Sequence, residues 1–340
     1  MPQPRRTSPT RRAEGLQISL LATTDVHGNV MDWDYVRNRP ASELYGAGIG
    51  LARAAGVIDR VRAARGAGAV VVVDNGDTLQ GTPLAYHAAR VDPITTTGRD
   101  HPLAVAYNTI GYDAQVIGNH DFNYGLDLLG AYVEDLACPM LGANVLDART
   151  GEPVLQPYLL LNRTVDDREP VTIGLLGLTT PGAMVWDRDI LAGRVEIEDM
   201  AASAAAWVPR MRHAGADVVV VLSHSGMGST PYDSTGLGVE NAADRIAQVP
   251  GIDAIVVGHT HARVEAERRT NTTTGASVLL TQPLPWAQEV AARRDIMSAN
   301  VEAVLEEELA QVFSDVLEDA GVFKRTDEGD AGWQRFIKQL

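Results

Sequence analysis

Short apolar runs, each followed by polar residues, recur along the 340-residue chain. The run Val70–Val73 and the run Asp217–Leu222 are the clearest of them, and their apolar, β-rich composition indicates buried strands. We predict strands over residues 16–22, 70–73, 115–117, 140–143, 171–178, 217–222 and 254–257.

Apolar residues at helical spacing lie between these runs. In the segment from Gly48 to Arg65, Leu51, Ile58 and Val61 share one helical face, which indicates an amphipathic crossover helix. We predict further helices over residues 102–110, 126–136, 203–214 and 241–248. Strands that alternate with helices form βαβ units with right-handed connections, so the pattern predicts an α/β protein with a mostly parallel sheet.

Five of the predicted strands end in side chains that bind metals. These are Asp25 with His27, Asp77, Asn119 with His120, His224, and His259 with His261. Because the carboxyl ends of strands form the binding crevice of open α/β sheets, we expect these residues to converge. Asp25 and His27 would point the same way in an extended segment. The other histidines, His87, His101 and His213, are predicted to be ordinary surface or turn residues.

The number of oxygen and imidazole donors exceeds what one ion needs. The set predicts two divalent metal ions, drawn from Mn, Zn, Co, Fe or Ni, about 3.5–4 Å apart and bridged by a carboxylate. Asp77 is the expected bridge, because its strand is predicted to be central. Such a pair activates water for in-line attack on phosphorus. His120 is placed to give the leaving alkoxide a proton or a hydrogen bond.

Composition narrows the classes of partner. The chain is 45% hydrophobic with a formal net charge of −15, which favours a soluble globular protein and argues against a nucleic-acid groove or an anionic membrane surface. No apolar run reaches the length of a membrane span. The only cysteine, Cys138, excludes an intramolecular disulfide and thiolate metal sites, and we expect it in the core.

The strand-end motifs resemble those of the calcineurin-like metallophosphoesterases. More narrowly, they resemble the 5'-nucleotidase group and, within it, the bacterial 2',3'-cyclic-nucleotide 2'-phosphodiesterase/3'-nucleotidases. The resemblance covers roughly residues 16–290. The motifs that carry it are Asp25-Val-His-Gly-Asn29 leading to Met31-Asp-Trp-Asp-Tyr35, Asp74-Asn-Gly-Asp-Thr-Leu-Gln-Gly-Thr-Pro83, Asn119-His-Asp-Phe-Asn-Tyr-Gly125, Ala143-Asn-Val-Leu-Asp-Ala-Arg149, His224 and Gly258-His-Thr-His261.

The resemblance implies a four-layer α/β/β/α sandwich and a ligand set for each ion. One ion would be held by Asp25, His27, Asp77 and His261, and the other by Asp77, Asn119, His224 and His259. It also implies that His120 acts on the transition state and the leaving group. Many 5'-nucleotidases carry an aspartate three residues after this histidine, where this chain has Asn123. The cyclic phosphodiesterase branch accepts asparagine there, so Asn123 favours that branch and leaves open which group orients His120.

The two ends of the chain depart from the family. Residues 1–15 are predicted to be a disordered basic tail without the apolar segment of a signal peptide, so we expect a cytoplasmic protein, although family members are often exported. Residues 16–292 are the expected catalytic domain. Residues 293–340, with a predicted polar helix from Asp295 to Ala320, stand where the family carries a domain that clamps the nucleobase.

The sequence leads to three hypotheses about function. The first is hydrolysis of a small-molecule nucleotide, with 2',3'-cyclic nucleotides and 3'-nucleotides as substrates. The second is a 5'-nucleotidase or UDP-sugar hydrolase. The third is a metal-binding but catalytically impaired remnant that serves as a binding module, which the missing clamp domain suggests and the intact ligand set opposes. The sequence leaves the oligomeric state open.

Overall fold

The computed structural model of the protein describes residues 17–165, 169–228, 230–231 and 239–293, so the predicted basic tail and the helix from Asp295 lie outside the described residues. The strands are β1 Ser19–Thr23, β2 Val70–Asp74, β3 Ala114–Val116, β4 Met140–Leu141, β5 Val145–Asp147, β6 Tyr158–Arg163, β7 Val171–Thr179, β8 Val195–Ile197, β9 Val218–His224, β10 Thr230–Pro231, β11 Val239–Asn241, β12 Ala254–Val257, β13 Val264–Thr270, β14 Ser277–Gln282 and β15 Ala291–Arg293.

Helices follow most of the parallel strands. The α-helices are α1 Ala41–Tyr45, α2 Leu51–Arg65, α3 Pro83–Tyr86, α4 Ile94–Thr97, α5 Pro102–Ile110, α6 Leu126–Asp135, α7 Ala183–Trp186, α8 Arg188–Leu191, α9 Met200–His213 and α10 Ala243–Ile246. A 3-10 turn over Asn119–Phe122 follows β3 and carries part of the site described below.

Two mixed sheets contain the main strands. The first has the order β15-β1-β2-β3-β4, in which β1 to β4 are parallel and β15 is antiparallel to β1. The second has the order β13-β14-β12-β9-β7-β6, in which the four central strands are parallel and both edge strands are antiparallel. The parallel strands of each sheet therefore direct their carboxyl ends to one edge.

Alternate side chains of each strand face different layers. In β2, Val71 and Val73 pack in the core between the sheets, whereas Val70 and Val72 pack against the helices that include α2 and α5. In β9 the same alternation gives one face to the inter-sheet core and the other to a third core under α9 and α10. Strands buried on both faces explain the continuous apolar runs, and the layers form the expected α/β/β/α sandwich.

The structure confirms the strong elements, corrects two predictions and shows strands that the sequence did not predict. The helix predicted over 241–248 is only α10, because β11 occupies Val239–Asn241. The edge strand β13 had no apolar signal, since most of its side chains are exposed. His101 is fully buried rather than a surface or turn residue: its Nδ1 accepts a hydrogen bond from the backbone N–H of Leu103 at the start of α5, and burial lowers its pKa to about 4. Cys138 lies in the core, as expected.

Candidate metal centre

The polar strand ends of both sheets meet at one edge of the sandwich. From the first sheet, Asp25 and His27 follow β1, and Asp77 and Asn119 follow β2 and β3. From the second sheet, His224 is the last residue of β9. His259 and His261 follow β12 in that sheet.

These side chains form two groups with metal-ligand geometry. Asp25, His27 and His261 form the first group, and Asp77, His224 and His259 form the second, with ligand atoms within 4.8 Å of one another in each group. The Oδ2 atom of Asp77 lies 3.0 Å from Nε2 of His224 in its own group and 3.8 Å from Nε2 of His27 in the other. Asp77 therefore lies between the groups, where a bridging carboxylate is needed.

Partners outside the groups fix which nitrogen each imidazole presents. Nδ1 of His27 lies 2.9 Å from the Gln80 carbonyl oxygen, and Nδ1 of His224 lies 2.6 Å from the carbonyl oxygen of Asn75. A carbonyl only accepts, so both rings donate through Nδ1–H, and Nε2 is the nitrogen that faces the carboxylate of Asp77. In His259 it is Nε2 that lies 2.9 Å from the carboxylate of Glu240, which leaves Nδ1 as the ligand atom.

An unsatisfied buried atom shows that the pocket fits cations. The side-chain oxygen of Asn119 is buried and has no hydrogen-bond partner within the part of the chain that the structure describes. Buried polar atoms are nearly always paired, so this oxygen is available to bind an ion. The oxygen and imidazole donor set suits divalent first-row metals.

The charges in the pocket also favour a bound divalent cation. Burial acts to raise the pKa of Asp77, but the imidazoles of His224 and His27 outweigh it and hold that pKa below its ordinary value. Burial acts to lower the pKa of His224, yet the Asp77 carboxylate raises it to about 10. The carboxylates thus draw a proton onto His224, in the place where a dication would neutralise them.

Most of the candidate ligands have left-handed backbone conformations. Asp25, His27, Asp77, His259 and His261 have φ angles of 51°, 49°, 61°, 69° and 54°. The sequence pattern predicted an extended segment from Asp25 to His27, and this prediction is wrong. The two side chains converge through tight turns instead. Such conformations are uncommon for residues other than glycine and cluster at functional sites.

Asp121, which had no predicted role, organises the loop after β2. Its fully buried carboxylate accepts hydrogen bonds from the backbone N–H groups of Asp77, Thr78 and Leu79, at 3.1, 2.8 and 2.9 Å, and from that of Gly118 at 2.7 Å. Burial raises the pKa of Asp121 to about 6. This side chain joins the turns that present Asp77 and Asn119.

His120 lies beside the metal groups. Its backbone N–H donates to Oδ1 of Asp77 at 2.7 Å, and its ring centroid lies 5.3 Å from that of His27. Its Nδ1 lies 2.7 Å from the side-chain oxygen of Asn123, so the structure brings the two candidate catalytic residues together. Asn123 in turn contacts Asp187, a residue that the sequence did not single out.

Two exposed tryptophans border the pocket. The ring of Trp186 stacks on His259 with centroids 5.6 Å apart, and the ring of Trp286 lies edge-on to His261 at 6.3 Å. They are 42% and 38% exposed, so each offers an apolar surface at the mouth of the site. Neither had a signal in the sequence beyond its residue type.

The fold and this pair of ligand groups define a metallophosphoesterase. The family model for the calcineurin-like phosphoesterases matches residues 18–263, and the chain belongs to that family. The divalent ions predicted from the donor set agree with the family, in which such ions are expected, and with the two ligand groups.

Individual relatives carry nucleotide-processing names. The chain is 41% identical over 261 residues to the 2',3'-cyclic-nucleotide 2'-phosphodiesterase/3'-nucleotidase of Yersinia enterocolitica, an alignment that covers 75% of this chain and 38% of that protein. It is 37% identical over 256 residues to the trifunctional nucleotide phosphoesterase protein YfkN of Bacillus subtilis, covering 73% of this chain and 17% of that protein. The chain thus spans well under half the length of these relatives.

Solved structures agree on the fold. The crystal structure of the calcineurin-like phosphoesterase YfkN from Bacillus subtilis matches with a TM-score of 0.70 and 29% identity, covering 89% of this chain and 97% of that one.

Among the described residues, no helix is both long and apolar enough to cross a membrane.

Proposed function

We propose that this chain hydrolyses phosphate esters of nucleotides, with 2',3'-cyclic nucleotides and 3'-nucleotides as its substrates. The observation that carries the proposal is the pair of ligand groups joined by Asp77 at the meeting edge of the two sheets. The names of the Yersinia and Bacillus relatives support the nucleotide class.

In this proposal, Asp25, His27, Asp77 and His261 would hold one divalent ion, and Asp77, Asn119, His224 and His259 the other. Bound there, the ions would supply an activated water and neutralise the phosphoryl oxygens as charge develops. The carbonyls of Gln80 and Asn75 accept from Nδ1–H of His27 and His224, so Nε2 of each ring is the nitrogen that would bind an ion in place of a proton. Glu240 does the same for His259 through its other nitrogen.

The remaining step is assigned to His120. Its Nδ1–H donates to the side-chain oxygen of Asn123, so in the protonated, cationic ring Nε2 carries the proton that would pass to the departing alkoxide, which leaves the neutral ring with its proton on Nδ1. The N–H bond from His120 to Asp77 keeps this ring at a fixed place relative to the ligand groups. Asp25 and Asp77 are buried, which shields their carboxylates from bulk water.

Turnover of a substrate panel by the purified chain tests the proposal. Metal-free protein loaded with Mn²⁺ is offered 2',3'-cyclic, 3'- and 5'-nucleotides, a UDP-sugar and an aryl phosphodiester that needs no base recognition. We expect metal-dependent turnover of the aryl ester and of the cyclic and 3'-nucleotides. Activity confined to 5'-nucleotides or the UDP-sugar would select the second function named from the sequence. No turnover of the aryl ester by folded, metal-loaded protein would favour the binding remnant.

A further inference from the structure

A chain of hydrogen bonds links His120 to a buried carboxylate on another part of the fold. Nδ1 of His120 lies 2.7 Å from Oδ1 of Asn123, and Nδ2 of Asn123 donates to both carboxylate oxygens of Asp187 at 2.9 Å. Asp187 lies 64 residues after Asn123 in the sequence and is only 9% exposed. The three side chains therefore form one continuous connection that ends at the candidate acid.

The carboxylate decides how the amide is turned. An ionised carboxylate only accepts hydrogen bonds, so the NH₂ group of Asn123 must face Asp187 and its oxygen must face His120. An amide oxygen also only accepts, so the ring of His120 must donate through Nδ1–H. Without Asp187, the nearly symmetrical amide could present either end to the ring.

We propose that Asp187 is a positioning residue for His120, acting through the amide of Asn123. This rests on the proposed function, in which His120 assists the leaving group. The side chain of Asn123 separates the carboxylate of Asp187 from the ring of His120. The carboxylate orients the amide, and the amide in turn orients the ring.

The backbone holds Asp187 in place for this task. It lies between α7 and α8, where its N–H donates to the carbonyl of Ala183 at 2.9 Å and its own carbonyl accepts from Ile190 and Leu191 at 2.9 and 3.0 Å. The preceding residue, Trp186, stacks on the candidate ligand His259. The segment from Ala183 to Leu191 therefore contacts both the metal groups and the connection to His120.

A swap of the two side chains tests the proposal. Asp187→Asn removes the charge that orients the amide, whereas Asn123→Asp combined with Asp187→Asn places the carboxylate next to His120 and the amide outside it. Rates are measured with aryl phosphodiesters whose leaving phenols differ in acidity. We expect Asp187→Asn to slow esters of weakly acidic phenols by about 10- to 100-fold, the usual cost of losing a partner that orients a functional imidazole. Esters of strongly acidic phenols should be little affected.

The double variant should recover most of the loss, and the matched change at the exposed Asp189, Asp189→Asn, should leave every rate unchanged. Metal content is measured for each variant. An equal loss on all esters, or a loss of bound metal, would assign Asp187 a purely structural role and overturn the proposal. If the unaltered protein hydrolyses no ester at all, the proposed function fails, and the test below decides the positioning role alone.

The tautomer of His120 provides a readout that needs no catalysis. Long-range ¹H–¹⁵N spectra of metal-free protein distinguish a ring protonated on Nδ1 from one protonated on Nε2, and His120→Ala identifies the signal. We expect the neutral ring to carry its proton on Nδ1 in the unaltered protein and to lose that preference in Asp187→Asn. A ring protonated on Nε2 in the unaltered protein would overturn the proposal.

Discussion

At the scale of single residues, Asp77 and His120 stand next to each other and are assigned different tasks. Asp77 lies between the two candidate ligand groups, whereas His120 donates a hydrogen bond to it from the backbone N–H. A substitution of Asp77 should therefore affect metal binding, whereas a substitution of His120 should affect only the rate of turnover.

We expect Asp77→Asn to lose activity and to bind metal much more weakly, because an amide lacks the charge that a bridging ligand needs. His120→Ala should keep both metals and slow turnover by about 10²–10⁴-fold, the usual worth of a positioned acid. Metal analysis and kinetics on the same preparations check both. Loss of metal from the His120→Ala protein would show that the two assignments are wrong.

Asp74 gives a second prediction, on stability and pH. Its carboxylate is fully buried, accepts a hydrogen bond from Thr23 at 2.6 Å, and has its pKa raised by burial from 3.8 to about 7. The folded state therefore holds a proton that the unfolded state has released. Stability from this group is complete below pH 3.8 and is lost as pH rises to about 7. The full loss is roughly 4 kcal/mol by the linkage relation.

Asp74→Asn removes this dependence, although it costs stability at low pH. We expect the difference in unfolding free energy between the unaltered protein and Asp74→Asn to shrink as pH rises from 4 towards 7, measured by urea denaturation. The exposed change Asp189→Asn is the control and should show a constant difference. A constant difference for Asp74→Asn as well would mean that this carboxyl is not protonated in the folded protein.

At the scale of elements, the turns after the strands determine the site. The turn after β3 passes so close to the loop after β2 that a side chain on Gly118 would overlap the backbone nitrogen and the carboxylate of Asp77. The close approach also lets Asp121 accept from both turns. Glycine is needed here for space, since its φ is an ordinary −97°.

We expect Gly118→Ala to lower metal affinity and activity, because Asp77 must move to make room. The matched change Gly130→Ala lies in α6, where an added methyl meets no atom within 4 Å, and should raise stability by about 0.5–1 kcal/mol through helix propensity. Metal titration and thermal unfolding of both variants check this. Unchanged metal affinity in Gly118→Ala would contradict the steric argument.

Some of the site could be predicted from sequence and some could not, for a physical reason. The candidate ligands lie directly after apolar strands, so periodicity and the geometry of parallel sheets predicted that they lie close together. Glu240 and Asp187 lie outside such positions, and their contacts with His259 and Asn123 depend on how loops fold back in space. The extended geometry assumed for Asp25 and His27 failed because left-handed turns leave no periodic signature.

The elements follow the same rule. Strands with two buried faces, such as β2 and β9, were predicted within two residues of their observed ends. Edge strands such as β13 and the short β15 were missed, since an edge strand exposes polar side chains and needs no apolar run. β15 nevertheless pairs with β1 and forms an edge of the first sheet.

At the scale of the whole molecule, metal binding and folding should be linked. The ligand atoms are assembled only in the folded chain, so ions stabilise it by about 2.7 kcal/mol at a concentration one hundred times Kd. We expect Mn²⁺ to raise Tm by on the order of 5 °C, and a chelator to reverse the rise. Asp77→Asn should show little of it. A Tm that is indifferent to both metal and chelator would contradict the linkage.

The candidate ligands come from both sheets and from both halves of the chain. Asp25, His27, Asp77 and Asn119 all precede residue 165, and His224, His259 and His261 all follow residue 169, so neither half of the chain carries a complete group. By thermodynamic reciprocity, an ion that strengthens the association of the halves is bound more tightly when they are joined. If the chain is divided between β6 and β7, the two fragments should therefore associate more strongly when the cation is present. Their association would then report the binding of the ion.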